Sequence, residues 1–198
     1  MSNTVTKSAA AKQAATDAVC ALIDAGTGAG KLKLLSAADA VLAILTMDDP
    51  AMGAANSGGT ATAGTITSSV GEAAAGLGTA ATKFQVTDSD DTVIFSATVA
   101  QRQAITGVSQ GSKTFTVAGA LAGLVAGDII VISGSTGNDG VYHVVSTSGA
   151  GPTIVTVMEA VPNATVDGYL CPAFCQIDNP SIAVGQAVGC SSLTYNDG

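Results

Sequence analysis

"KTFTVAGALAGLVAGDIIVISGSTGNDGVYHVVSTSGAGPTIVTVMEAVPNATVDGYL", residues 113–170, decides the fold. Short runs rich in Val, Ile and Thr recur at regular spacing: "KTFTVAG", "DIIVIS", "VYHVVSTS" and "TIVTVME", with a last edge near "GYL". The connectors "AGLVAGD", "GSTGNDG" and "GAGP" are turn chemistry throughout. Five strands joined in this way predict a small β-barrel or sandwich over residues 101–170.

The same stretch holds Ser135, Asp139 and His143 within nine residues, a set that invites comparison with a hydrolase triad. A triad nucleophile sits on a strained elbow, usually G-x-S-x-G, whereas this chain reads G-S-T-G. On a strand, His143 faces away from Tyr142 and shares its side with Val141 and Val145. Asn138, Asp139 and Gly140 suit a tight turn in which positive φ is needed. The reading is structural, and no enzyme activity is expected. His143 is the only histidine, so any acid–base or metal role for His would rest on it alone.

Upstream lies "LIDAGTGAGKLKLL", residues 22–35, which looks like a phosphate cradle. A P-loop reads G-x-x-x-x-G-K-[ST] and runs from strand to helix. Here the first glycine position is Ala25, the Mg²⁺-ligand position is Leu32, and the helix comes first. "SAAAKQAATDAVCALIDA" carries Ala15, Val19, Leu22 and Ile23 at helical spacing. Gly26 falls where a C′ glycine stops a helix, and "KLKLL" alternates as a strand does. No cofactor is expected.

"AVLAILTM" reads as a buried strand and "GTITSS" as a weak one. "TKFQVTDSDDTVIFSATVA" is the clearest hairpin, turned by "DSDD". As a Ca²⁺ loop "DSDD" fails, because Val93 stands at the sixth position and Val99 at the twelfth. It is expected to be a solvated turn. Near the C-terminus, strands are expected at Ala183–Val184 and around Val188 and Leu193.

Net charge is −8, and the seven Lys and Arg are scattered, so no basic stripe is available for nucleic acid or for acidic membranes. No apolar run is long enough for a membrane span. The first residues lack a basic stretch followed by an apolar one, so no signal peptide is expected, and synthesis is expected in a cytoplasm. Cys20, Cys171, Cys175 and Cys190 lack metal-site spacing and are expected to be reduced. Charged residues make up only 11% of the chain, against about a quarter in an average domain. That leaves a Thr/Ser/Gly surface suited to sitting against other proteins.

Two segments resemble tailed-phage structural proteins. "TKFQVTDSDDTVIFSATV" resembles a strand, D-S-D-G-T turn and strand that follow a Gly/Thr-rich stretch such as "TATAGTITSS". Asp91 stands where that pattern has Gly. "NPSIAVGQAVGCSSLTYNDG" resembles the closing strand, V-x-x-G-Q turn and strand of the same proteins, and "GKLKLL" and "LAILTMDDPAMGAA" fit their first strands. The middle, through "KTFTVAG", the "GD" before an apolar strand and "GSTGNDGVYHVV", resembles a separate small β module of phage virion proteins.

The resemblance implies a mainly β protein. It would have an N-terminal helical arm (1–27), a discontinuous β-sandwich (28–100 with 171–198) closed by the C-terminal strands, and an inserted barrel-like domain (101–170). It implies a capsid decoration, or cement, protein on the outside of the virion. Its partners would be the major capsid protein and sister copies, with Ala15, Val19, Leu22 and Ile23 as an interaction face. A tail, neck or baseplate component, or a glycan-binding adhesion module, is the alternative; the absence of Trp weakens the glycan reading.

Overall fold

The computed structural model describes residues 7–121, 123–172, 175–177, 179–190 and 193–196. The protein is mainly β, with one helix near the N-terminus and a closed six-stranded barrel. The chain divides into two compact units, one formed by Met1–Ser96 with Ser181–Gly198, the other by Ala97–Pro180.

The first unit opens with α1 (Ala9–Ile23), capped by Ser8, whose Oγ accepts from Ala11 N at 3.2 Å. Thr16, Cys20 and Ile23 form its buried face. Three side-chain bonds fasten it to residues 51–59: Thr16 Oγ1 donates to Gly59 O (2.7 Å), Asp17 Oδ1 accepts from Ala55 N (2.8 Å), and Asp24 Oδ1 accepts from Ala51 N (2.5 Å). Over these described residues the helix is packed into its unit and does not stand off as an arm. Its C-cap is Asp24, so Gly26 (φ 95°) turns the chain one residue later than the glycine spacing suggested.

The strands that follow are β1 (Lys31–Leu35), β2 (Val41–Met47), β3 (Thr60–Thr62), β4 (Ile66–Thr67), β5 (Ser69–Val70), β6 (Thr79–Ala80), β7 (Lys83–Thr87) and β8 (Val93–Gln101). β1 lies between β2 and β7, antiparallel to both, with Leu32 opposite Leu45 and Val86, and Leu34 opposite Ala43 and Phe84. The Lys/Leu alternation buries Leu32 and Leu34 and leaves Lys31 and Lys33 on the other face. Each such Leu contributes about 1.5–3 kcal/mol on burial.

The second unit adds β9 (Gln103–Ser109), β10 (Thr114–Val117), β11 (Ile129–Ser133), β12 (Gly140–Ser148), β13 (Thr153–Val157), β14 (Tyr169–Cys171) and β15 (Cys175–Ile177). Strands β9 to β14 close into a barrel in the order β10-β13-β12-β11-β14-β9. Its core holds Phe115, Val117, Ile130, Ile132, Val155 and Leu170, all at most 2% exposed. Phe115 and Tyr142 meet edge to face at 5.1 Å. The barrel has six strands where the turn spacing predicted five. The additional one, β9, closes the ring between β14 and β10. β15 pairs in parallel with the far end of β8.

The chain then returns to the first unit as β16 (Ser181–Ile182), β17 (Ala187–Val188) and β18 (Thr194–Asn196). These pair antiparallel with β6, β5 and β3 in three two-stranded ladders. Ile182 and Val188 are buried anchors, and the Tyr195 ring lies 5.3 Å from that of Phe95. The strand expected at Ala183–Val184 lies at Ser181–Ile182 instead. Residues 183–186 form a turn closed by Gln186 N on Ala183 O (3.1 Å), with Gln186 Oε1 accepting from Ala183 N (3.0 Å).

Candidate functional site

The glycine-rich loop is filled by the chain's own hairpin tip. Ser89 Oγ donates to Ala25 O (3.3 Å) and accepts from Thr27 N (3.1 Å). A Cβ on Gly26 would overlap Ser89 Oγ, and one on Gly30 would lie 2.6 Å from Ile23 Cγ2. The glycines are thus required by close approach within the fold. Lys31 Nζ, the residue that mimicked a P-loop lysine, donates to Ser89 O (3.0 Å) and to Asp91 Oδ1 (2.7 Å). Lys33 Nζ reaches the same oxygen at 2.9 Å. Hydrogen bonds first from Lys31 and then from Lys33 pull the Asp91 carboxyl from its ordinary 3.8 down to about 2.

"DSDD" is therefore more than a solvated turn. Asp88 is 7% exposed, and its Oδ1 accepts from Asp90 N (2.9 Å) and Thr92 N (2.8 Å). Asp91 adopts φ 68°, the left-handed region that favours Gly.

Ser135, Asp139 and His143 do not act on one another as a triad. Asp139 Oδ1 accepts from Ser135 N at 2.7 Å, while Ser135 Oγ accepts from Asn138 N at 2.9 Å. His143 turns to Glu159: Nδ1 lies 2.6 Å from Oε1, and the main-chain N–H donates to Oε2 at 2.9 Å. The hydrogen bonds from His143 hold the Glu159 carboxyl below its ordinary range, against the opposing effect of burial. Tyr142 is buried in the barrel, and Val141 and Val145 are exposed, as the alternation around His143 predicted.

The turn residues hold a different surprise. The positive φ angles belong to Gly134, Gly137 and Gly140, not to Asn138 or Asp139. Asn138 is completely buried instead. Its amide donates to Asn163 O (3.0 Å) and accepts from Asn163 N (2.9 Å), and its own carbonyl accepts from Tyr142 Oη (2.8 Å). Asn163 donates through Nδ2 to Thr136 O at 2.5 Å. The two asparagines clasp the loops at one end of the barrel. No local pattern ties Asn138 to a residue 25 positions on.

Of the residues expected on an interaction face, Leu22 is exposed, Ala15 and Val19 are half-buried, and Ile23 is fully enclosed within the first unit. The most exposed large apolar side chain in the described residues is Leu77, held between Gly76 and Gly78 at a turn. Val184 N donates to Gly76 O (2.9 Å), which sets the exposed Val184 close to it. A leucine flanked by two glycines was the available sequence signal for this knob.

Cys20 and Cys171 are buried, and Cys190 is half-buried. Burial, then the nearby Asp17 and Asp24, push the Cys20 thiol up. Among the described residues, no three His, Cys, Asp or Glu side chains converge as a metal site would. No helix among them is long and apolar enough to cross a membrane. Comparisons of the chain with protein-family models, curated proteins and solved structures gave no match.

Proposed function

We propose that this chain is a structural protein of a tailed-phage virion, a decoration protein that binds the outer capsid surface at capsomer junctions and stabilises the shell. One observation carries the reading. The segments that bear the resemblance, within residues 28–100 and 171–198, lie far apart in the chain, yet the C-terminal strands pair with β3, β5 and β6 in one unit. In this reading the sheet of β8, β7, β1, β2 and β4 and the three ladders are the layers of a sandwich. The barrel is a module inserted between β8 and β16.

The mechanism is binding. A protein that contacts neighbouring shell subunits adds free energy to the assembled state alone. Many symmetry-related copies turn a modest contact into a firm one. The major capsid protein and sister copies are the partners, and the low-charge surface suits such contacts.

Mass spectrometry of separated heads and tails tests the proposal. Hundreds of copies in the head fraction support it. A few copies in the tail fraction point to a neck or baseplate part, and absence from both rejects a virion role.

A further inference from the structure

Among the described residues, no strand covers part of one edge of β8. β7 occupies one side of it. On the other side its only strand partner among the described residues is β15, which covers just Val99, Ala100 and Gln101. The hairpin is closed by Asp91 N on Asp88 O (3.3 Å) and Asp88 N on Thr92 O (3.1 Å). The antiparallel alternation then directs the N–H and C=O of Val93, Phe95 and Ala97 outward. Among the described residues no other strand meets them.

An open edge is a template for another strand, and proteins usually blunt it with charge, proline or a bulge. Residues 92–101, "TVIFSATVAQ", hold no charged residue, no proline and no glycine. Val93 remains 48% exposed. The barrel, by contrast, has no edge at all.

We propose that residues 93–97 form an interface between two copies of this chain, paired antiparallel about a two-fold axis at Phe95, so that Phe95 meets its own copy and Val93 meets Ala97 of the second copy. Charge selects both the partner and the direction. An uncharged edge asks its own copy to desolvate no ion, whereas a charged strand would leave one unpaired. The acidic tip at residues 88–91 begins just before β8. Parallel pairing would set two such tips side by side; antiparallel pairing holds them about 30 Å apart, given the rise per residue of a strand. The two-fold also closes the assembly at a dimer, so the edge cannot propagate into fibres. The inference does not depend on a virion role.

Sedimentation equilibrium on the full chain tests it, with Ser96→Lys and Ser96→Glu as variants, since Ser96 is exposed. The wild type is expected to approach twice 19.1 kDa as concentration rises. Each variant alone should associate about tenfold more weakly or worse, from like charges meeting near the axis, and an equimolar mixture should regain dimers. A wild type that stays monomeric, or single variants that dimerise as it does, would overturn the proposal. Hydrogen exchange on the wild type is an independent check on folding of the variants. Protection at Val93, Phe95 and Ala97 should rise with protein concentration, and protection that does not change with concentration rejects the interface.

Discussion

Asp91 combines two roles that a single substitution can separate. Its φ of 68° favours Gly, and its carboxylate gathers Lys31 and Lys33. Asp91→Ala loses both the pairing and a side chain that tolerates the left-handed region, whereas Asp91→Gly loses only the pairing. Thermal denaturation should therefore rank the wild type and the two variants with Ala lowest. Because the folded carboxyl titrates near 2 rather than 3.8, its contribution is present above pH 3.8 and lost as pH falls through about 2. The gap between wild type and Asp91→Gly should close over that window. Asn138 works without charge. Asn138→Ala takes the partners from the N–H and C=O of the half-buried Asn163, at about 1–3 kcal/mol in all. Urea denaturation should show that loss, while Asp139→Asn, at an exposed position, should change little. Neither clamp was legible in the sequence, because "DSDD" and "GSTGNDG" read locally as turns. The partners that give them structure come from β1 and from Asn163, and no local pattern reports such distant pairings.

Strands were legible where one face is buried. β7 and β10 alternate in both sequence and burial, whereas β11, β12 and β13 read as short apolar, Val/Ile-rich runs between turn signals and alternate in burial. β9 escaped because only Ile105 among its residues is fully buried and Gly107 interrupts it. Its place is set by the need to close the ring, which is a property of the whole barrel. Of the short C-terminal strands, those around Val188 and Leu193 were expected close to where β17 and β18 lie, while β16 lies two residues before the expected Ala183–Val184, since two residues carry no period. Their anchors still matter. Ile182→Ala is expected to cost about 2–5 kcal/mol and to lower hydrogen-exchange protection in β6 and β16, with barrel amides unchanged. The glycine-rich loop gives the opposite lesson, a motif-like string with a packing cause. Millimolar ATP with Mg²⁺ should leave the melting temperature unchanged, because a cradle filled by Ser89 has no room for a phosphate.

The chain as a whole joins a low-charge surface to a few prominent apolar points, and a decoration role makes a claim about them. Leu77 is fully exposed, and a Cβ built on the preceding Gly76 meets nothing. A side chain so placed adds nothing to the stability of its own unit, so Leu77→Asp should shift unfolding by about 0.5 kcal/mol at most. At an interface the same leucine would lose its partner atoms and bring a carboxylate into a desolvated contact, which costs several times more. The two measurements separate folding from function. Capsids lacking the protein would be incubated with wild type or with Leu77→Asp, then sedimented and heated. If this knob meets the shell, the variant should fold normally, fail to co-sediment and leave the shell's melting temperature at its undecorated value. If it decorates as fully as the wild type, the shell contact lies elsewhere, and Leu22 on the exposed side of α1 is the next position to test in the same way.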